Sequence, residues 1–212
     1  MATYPVQFRQ AVLALQQILK SGISPADILI SGDSAGGLLA IQIISHHLHP
    51  HASVPPLSIP PVPFAGILAI SPWVAFDSDA PSFLHNDSDA VSMIPLRSWG
   101  KLTKERIVPT NKDVPEEYWS EPRDAPPTWW NGTEKVTNHI MVAYGGREGL
   151  RDDILSFLEK LREGLAGHQV DIVAAPDPVG VHIGSFLEML RERGPDDLAI
   201  VMSRWAHDRL VT

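Results

Sequence analysis

One stretch constrains the fold of this chain more than any other. Gly32-Asp33-Ser34-Ala35-Gly36-Gly37 lies between a short apolar run, Asp27-Ile-Leu-Ile-Ser31, and an apolar segment of helical length, Leu38 to Leu48. A short run without polar alternation suits a strand buried on both faces, so the order is strand, sharp turn, helix. A G-x-S-x-G pattern in that setting puts its serine in a strained turn. Small residues flank it because neighbouring Cβ atoms would collide, and the hydroxyl is pushed out beyond the sheet edge. The Ala35 amide then opens a helix, where a free N–H and the positive dipole end stabilise an oxyanion. The bland alternative is a tight turn made of Gly and Ser with no chemistry, but the strand-to-helix context favours Ser34 as a nucleophile.

The same rhythm runs along the rest of the chain. Residues 5 to 20 place Val6, Ala11, Val12, Leu15, Ile18 and Leu19 at helical spacings, with Pro5 suited to a first turn and Gly22 as the stop. Further strands are expected at Ala65 to Ser71, His139 to Tyr144 and Val170 to Ala174. Helices are expected at Leu150 to Leu165 and, broken at Gly194-Pro195, at Leu187 to Leu210. Strands alternating with helices predict an α/β fold with about four parallel strands and right-handed crossovers. A chain of 212 residues fits one domain. The stretch from Phe76 to Val136 interrupts the rhythm, carries Trp99, Trp119, Trp129 and Trp130, and contains one expected helix near Ser92 to Ile107. It reads as a lid-like insertion over residues 76–136.

Composition removes several classes of function. The chain has no cysteine, so any nucleophile is oxygen or nitrogen. A net charge of −8 argues against a nucleic-acid partner. The N-terminus lacks the apolar core of a signal peptide and no long apolar run is present, so a cytoplasmic protein without a membrane span is expected. Asn86-Asp-Ser and Asn131-Gly-Thr then read as loop residues rather than glycosylation sites. His46, His47, His49 and His51 cluster at a helix end. Without a nearby carboxylate they read as dipole-compensating residues, and neither a metal nor a cofactor is called for. The tryptophans of the insertion either line a pocket or pack an irregular loop.

A serine hydroxyl needs a histidine to take its proton, and the histidine needs an oriented carboxylate. With a nucleophile in such a turn, the acid and then the histidine follow along the chain, on loops after later strands. The third expected strand leads into Gly145-Gly-Arg-Glu148-Gly-Leu-Arg-Asp152-Asp153, and the fourth into Asp177-Pro-Val-Gly-Val-His182. His182 is the candidate base and Glu148 the favoured acid. Asp152 and Asp153 sit where first-turn acids offset a helix dipole, which leaves Asp152 as the reserve. Asp77 and Asp79 read as turn residues that begin the insertion.

Gly-Asp-Ser-Ala-Gly-Gly, with Ile-Ser-Pro-Trp and Gly-x-x-Glu-x-Leu-Arg-Asp-Asp downstream, resembles the hormone-sensitive-lipase-like esterases of the α/β-hydrolase superfamily, their fungal members most. The resemblance spans nearly the whole chain. It implies the C-terminal part of an α/β-hydrolase fold that acts on carboxylic esters through an acyl-enzyme, with Ser34, Glu148 and His182 as the triad and the Ala35 N–H in the oxyanion hole. The substrate implied is a small-molecule ester or acylated metabolite, in secondary metabolism. Asp33 matches the family's residue before the serine, whereas Glu148 stands where Asp is commoner. One departure concerns the His-Gly-Gly loop that family members carry upstream of the serine, which this sequence lacks. The resemblance therefore implies a truncated domain whose first strand is a bare edge, open to self-association. A shortened gene product, a partner supplying the missing strands and a catalytically silent remnant or binding protein all fit. An acyltransferase or amidase on the same triad is a further alternative.

Overall fold

A computed structural model describes residues 4–86, 88–91, 93–110 and 113–211. Four strands, β1 (Leu29–Asp33), β2 (Gly66–Ile70), β3 (His139–Gly145) and β4 (Asp171–Asp177), form one parallel sheet in the order β1-β2-β3-β4. Helices α1 (Val6–Lys20), α2 (Ala35–Leu48), α6 (Arg151–Gly164), α7 (Gly184–Leu190) and α8 (Asp197–Leu210) flank it. The insertion adds α3 (Pro81–Leu84), α4 (Met93–Lys104) and α5 (Glu117–Ser120). The α/β class and the four parallel strands expected from the sequence are present.

Alternation along the central strands divides the core. Ile67, Ala69, Ile140 and Val142 face a large cluster built with α1, α2, α6 and much of the insertion. Leu68, Ile70, Met141 and Ala143 face a smaller one closed by Met202 and Trp205 of α8. Trp205 lies so close over β2 that a Cβ on Gly66 would come within 2.8 Å of its ring.

Boundaries differ from the sequence reading where tertiary pairing decides. β1 begins two residues later than the apolar run, because Ser24 accepts the Ala26 N–H and holds Pro25–Asp27 in a 3-10 turn. Pairing of Leu29 through Asp33 with Gly66 through Ile70 then carries the strand through Gly32 and Asp33. β4 runs past Ala174 to Asp177, paired throughout with β3. Pro176 is tolerated there because β4 is an edge, where a missing N–H leaves no ladder bond unmade. The closing helices start at Gly184, and their break spans 191–196, with Gly194 at φ +79°. The start expected for the insertion helix, Ser92, lies outside the described residues.

Candidate active site

Ser34 sits between β1 and α2 with φ 53° and ψ −115°, a conformation that only strong surrounding constraints sustain. Those constraints are visible. The Ser34 N–H donates to the Ile70 carbonyl (2.8 Å), and its own carbonyl accepts from Trp73 (3.1 Å) and Leu38 (3.1 Å). A Cβ on Gly32 would fall 2.3 Å from the Gly36 oxygen, and one on Gly37 3.0 Å from Pro72. Gly32 therefore admits no side chain, whereas one at Gly37 is admitted only if Pro72 gives way. Gly36 differs, because a Cβ there would meet nothing within 4 Å and would point into open space beside the serine. The Ala35 amide opens α2, where an N–H has no helical acceptor.

The loops after β3 and β4 carry the other two groups and are pressed together by backbone bonds. Gly146 N–H donates to the Asp177 carbonyl (2.7 Å) and Arg147 N–H to that of Gly180 (2.8 Å). Cβ atoms on Gly145 or Gly146 would lie 2.5 Å from the opposite loop's carbonyl oxygens, so the pair of glycines permits the approach. The structure thereby brings three distant side chains together. His182 Nε2 lies 3.0 Å from Ser34 Oγ. Its Nδ1 lies 3.6 Å from Glu148 Oε2, an ion-pair distance longer than a hydrogen bond. Both Glu148 and His182 are buried, at 0% and 2% exposure.

Ser71, at the end of β2, was not singled out as a site residue from the sequence. Its hydroxyl donates to Glu148 Oε2 (2.6 Å) and accepts from the Ile183 N–H (3.3 Å), so it ties the acid to the histidine loop. Its φ of 44° is a second strained backbone at the rim. A serine after a buried strand carries no periodic signal; only its place in Ile-Ser-Pro-Trp marked it.

Asp152 does not reach the histidine. Its carboxylate accepts from the Ser82 N–H (2.8 Å) and Arg151 Nε (2.8 Å), so the reserve acid is a fastener of the insertion. Burial pushes its pKa up, but the Arg151 and Ser82 bonds outweigh that and hold it below the ordinary carboxylate value. Asp153 is buried against Arg123 Nη1 (2.7 Å) and Ser78, and there burial wins, raising its pKa. Its role is therefore more than the first-turn charge expected.

The histidine cluster is also dispersed. Burial lowers the pKa of His46 and His47, which disfavours the charge that the dipole reading needs. His46 bonds the Pro55 carbonyl (2.8 Å), His49 stacks on Trp129 at 3.6 Å, and His51 pairs with buried Glu116. Among the described residues no group of three or more His, Cys, Asp or Glu is placed to hold a metal ion.

Beside Ala35 and Gly36 opens a cleft of about 630 Å³ lined mainly by apolar groups, among them Phe8, Leu38, Trp73, Phe76, Trp99 and Leu102. The tryptophans of the insertion divide: Trp99 lines this cleft, whereas Trp119, Trp129 and Trp130 are buried in the core. No helix among the described residues is long and apolar enough to cross a membrane.

Comparison with known proteins agrees with this fold. Solved structures similar in fold include an esterase/lipase from an uncultured bacterium (TM-score 0.71, 19% identity, 99% of this chain and 62% of that one). An esterase of the bacterial hormone-sensitive lipase family gives a TM-score of 0.68 at 23% identity, over 99% of this chain and 61% of that one. A thermostable esterase from Pseudomonas putida ECU1011 gives 0.69 at 16%, over 99% and 60%. The chain thus spans about three fifths of the length of these structures. No curated protein matches it. The alpha/beta hydrolase fold family matches residues 1–182, from the N-terminus through the histidine of the site, and the chain belongs to that family.

Proposed function

We propose that the chain is a serine hydrolase of carboxylic esters. The observation that carries this reading is the 3.0 Å contact between Ser34 Oγ and His182 Nε2 at a strained strand-to-helix turn. Ser34 attacks the ester carbonyl while His182 takes its proton at Nε2, and Glu148 stabilises the imidazolium from the Nδ1 side. The Ala35 N–H donates to the oxyanion, and a single donor of this kind is worth about 10² to 10³ in rate. His182 then returns the proton to the leaving alcohol, and water hydrolyses the acyl-serine by the same steps in reverse. The cleft takes the apolar part of the ester, and the substrate class proposed is an acylated secondary metabolite. The neighbours described as esterases support the class of reaction.

Hydrolysis of p-nitrophenyl esters of graded acyl length tests the reading. Turnover is expected in the wild-type chain and a loss of at least about 10⁴-fold in Ser34→Ala and His182→Ala, as for other triads. Equal background rates in all three would overturn the reading in favour of a catalytically silent remnant or binding protein. An added alcohol acceptor separates hydrolysis from acyl transfer by its products. The outer edge of β1 has no strand beside it among the described residues, and sedimentation at rising concentration tests self-association through that edge.

A further inference from the structure

The contacts among Ser34, His182 and Glu148 leave open what fixes the spacing of the two loops that carry the base and the acid. One side chain of the insertion reaches both. The His182 amide donates to Asp89 Oδ1 at 2.7 Å, and the Gly149 amide donates to Oδ2 at 2.8 Å. The Ala90 N–H donates to Oδ1 at 2.7 Å, which orients the carboxylate from its own side. Nearby, Asn86 Nδ2 donates to the Arg147 carbonyl at 2.6 Å. Both peptide groups that flank Glu148 are therefore held from the insertion: the 147–148 peptide through its carbonyl by Asn86, and the 148–149 peptide through its amide by Asp89.

The chemistry explains why a carboxylate occupies the position. Two backbone donors from different loops arrive on separate oxygens, and an ionised acceptor makes both bonds charge-assisted. An asparagine keeps one oxygen but turns an NH₂ group toward the second donor, and an alanine satisfies neither. The spacing at stake is small. His182 Nδ1 and Glu148 Oε2 stand 3.6 Å apart, and among the described residues neither Nδ1 nor the acid's other oxygen, Oε1, has a hydrogen-bond partner. A shift of about 1 Å decides whether the bond forms, and misplacement of that size costs about 10²-fold in rate.

We propose that Asp89 is a positioning residue, a clamp through which the insertion sets the separation of His182 from Glu148. Its effect on rate rests on the esterase reading above; its effect on the two loops does not. Asp89 does not line the cleft, so it acts through the two amides and not through substrate.

The test measures phosphonylation of the full chain by a fluorophosphonate, reading the rate constant and the final stoichiometry separately. Asp89→Ala is expected to slow labelling about 10²-fold and Asp89→Asn about tenfold, with the endpoint of one label per chain unchanged. A merely structural role would lower the endpoint and leave the rate of the folded fraction alone. Hydrogen exchange resolved to the Gly149 and His182 amides accompanies it, with faster exchange of both expected in Asp89→Ala. A wild-type chain that never labels defeats the esterase reading but leaves the clamp to be decided by exchange. Wild-type labelling rates in both variants, or unchanged exchange at both amides, overturns the clamp.

Discussion

The two ends of the insertion behave as different materials. From Glu116 to Val136 the chain is part of the core: Trp119, Trp129, Trp130, Ala125 and Val136 are buried, and Gln42, Ser45 and His49 of α2 and its end bond this stretch. Pro127 presses so closely on α6 that a Cβ on Gly164 would lie 1.9 Å from its carbonyl oxygen. By contrast, α4 and the residues after it expose apolar side chains, with Ile94 at 79%, Trp99 at 54% and Val108 at 75%. The Lys104–Glu121 ion pair (3.0 Å) joins the two ends. The tryptophans of residues 76–136 thus divide between core and cleft. Residues 116–136 supply stability, and the exposed face of α4 supplies one wall of the cleft.

Substitutions in the two halves are expected to separate these roles. The largest effect falls on Trp130, fully buried and packed edge-on against Phe157 at 5.5 Å. Trp130→Ala is expected to cost about 3 to 5 kcal/mol in urea unfolding, a large fraction of a domain's total stability. Trp99→Ala comes next, with unfolding shifted by no more than about 0.5 kcal/mol. Its effect is expected in KM for bulky apolar esters, raised severalfold while acetate esters are spared. A stability loss at Trp99 equal to that at Trp130 would erase the distinction between the halves.

The smallest effect is one of pH and belongs to the α2 end on which the later half rests. His46 has a folded pKa lowered by burial from its ordinary 6.5. The unfolded chain therefore binds the proton first, and stability falls as pH drops below about 6.5, levelling once the folded value is passed. The midpoint of thermal unfolding, followed from pH 8 to 5, is expected to show that decline, less steep in His46→Gln.

Much of this architecture was legible in the residues, for physical reasons that also mark where legibility ends. Short apolar runs located the four strands, because buried parallel strands need hydrophobic residues on both faces. The turn around Ser34 was legible because its close packing leaves no room for a side chain at position 32, whereas position 36 of the same pattern is open. Strand limits were not, since pairing with β2 and β3, not composition, ends β1 and β4. Asp89 left no local signature, and Ser71 only its place in Ile-Ser-Pro-Trp. Each acts on partners many residues away, 77 from Ser71 to Glu148 and 93 from Asp89 to His182. The four histidines misled as a cluster, since burial and separate partners, invisible in spacing, set each one's role.

The central claim is that Ser34 is made nucleophilic by His182. Mass mapping of the fluorophosphonate adduct, in the wild-type chain and in His182→Ala, tests it most directly. The expected result is a single adduct on the peptide containing Ser34, abolished when His182 is removed. An adduct on another residue, or labelling of Ser34 that survives without His182, would contradict it.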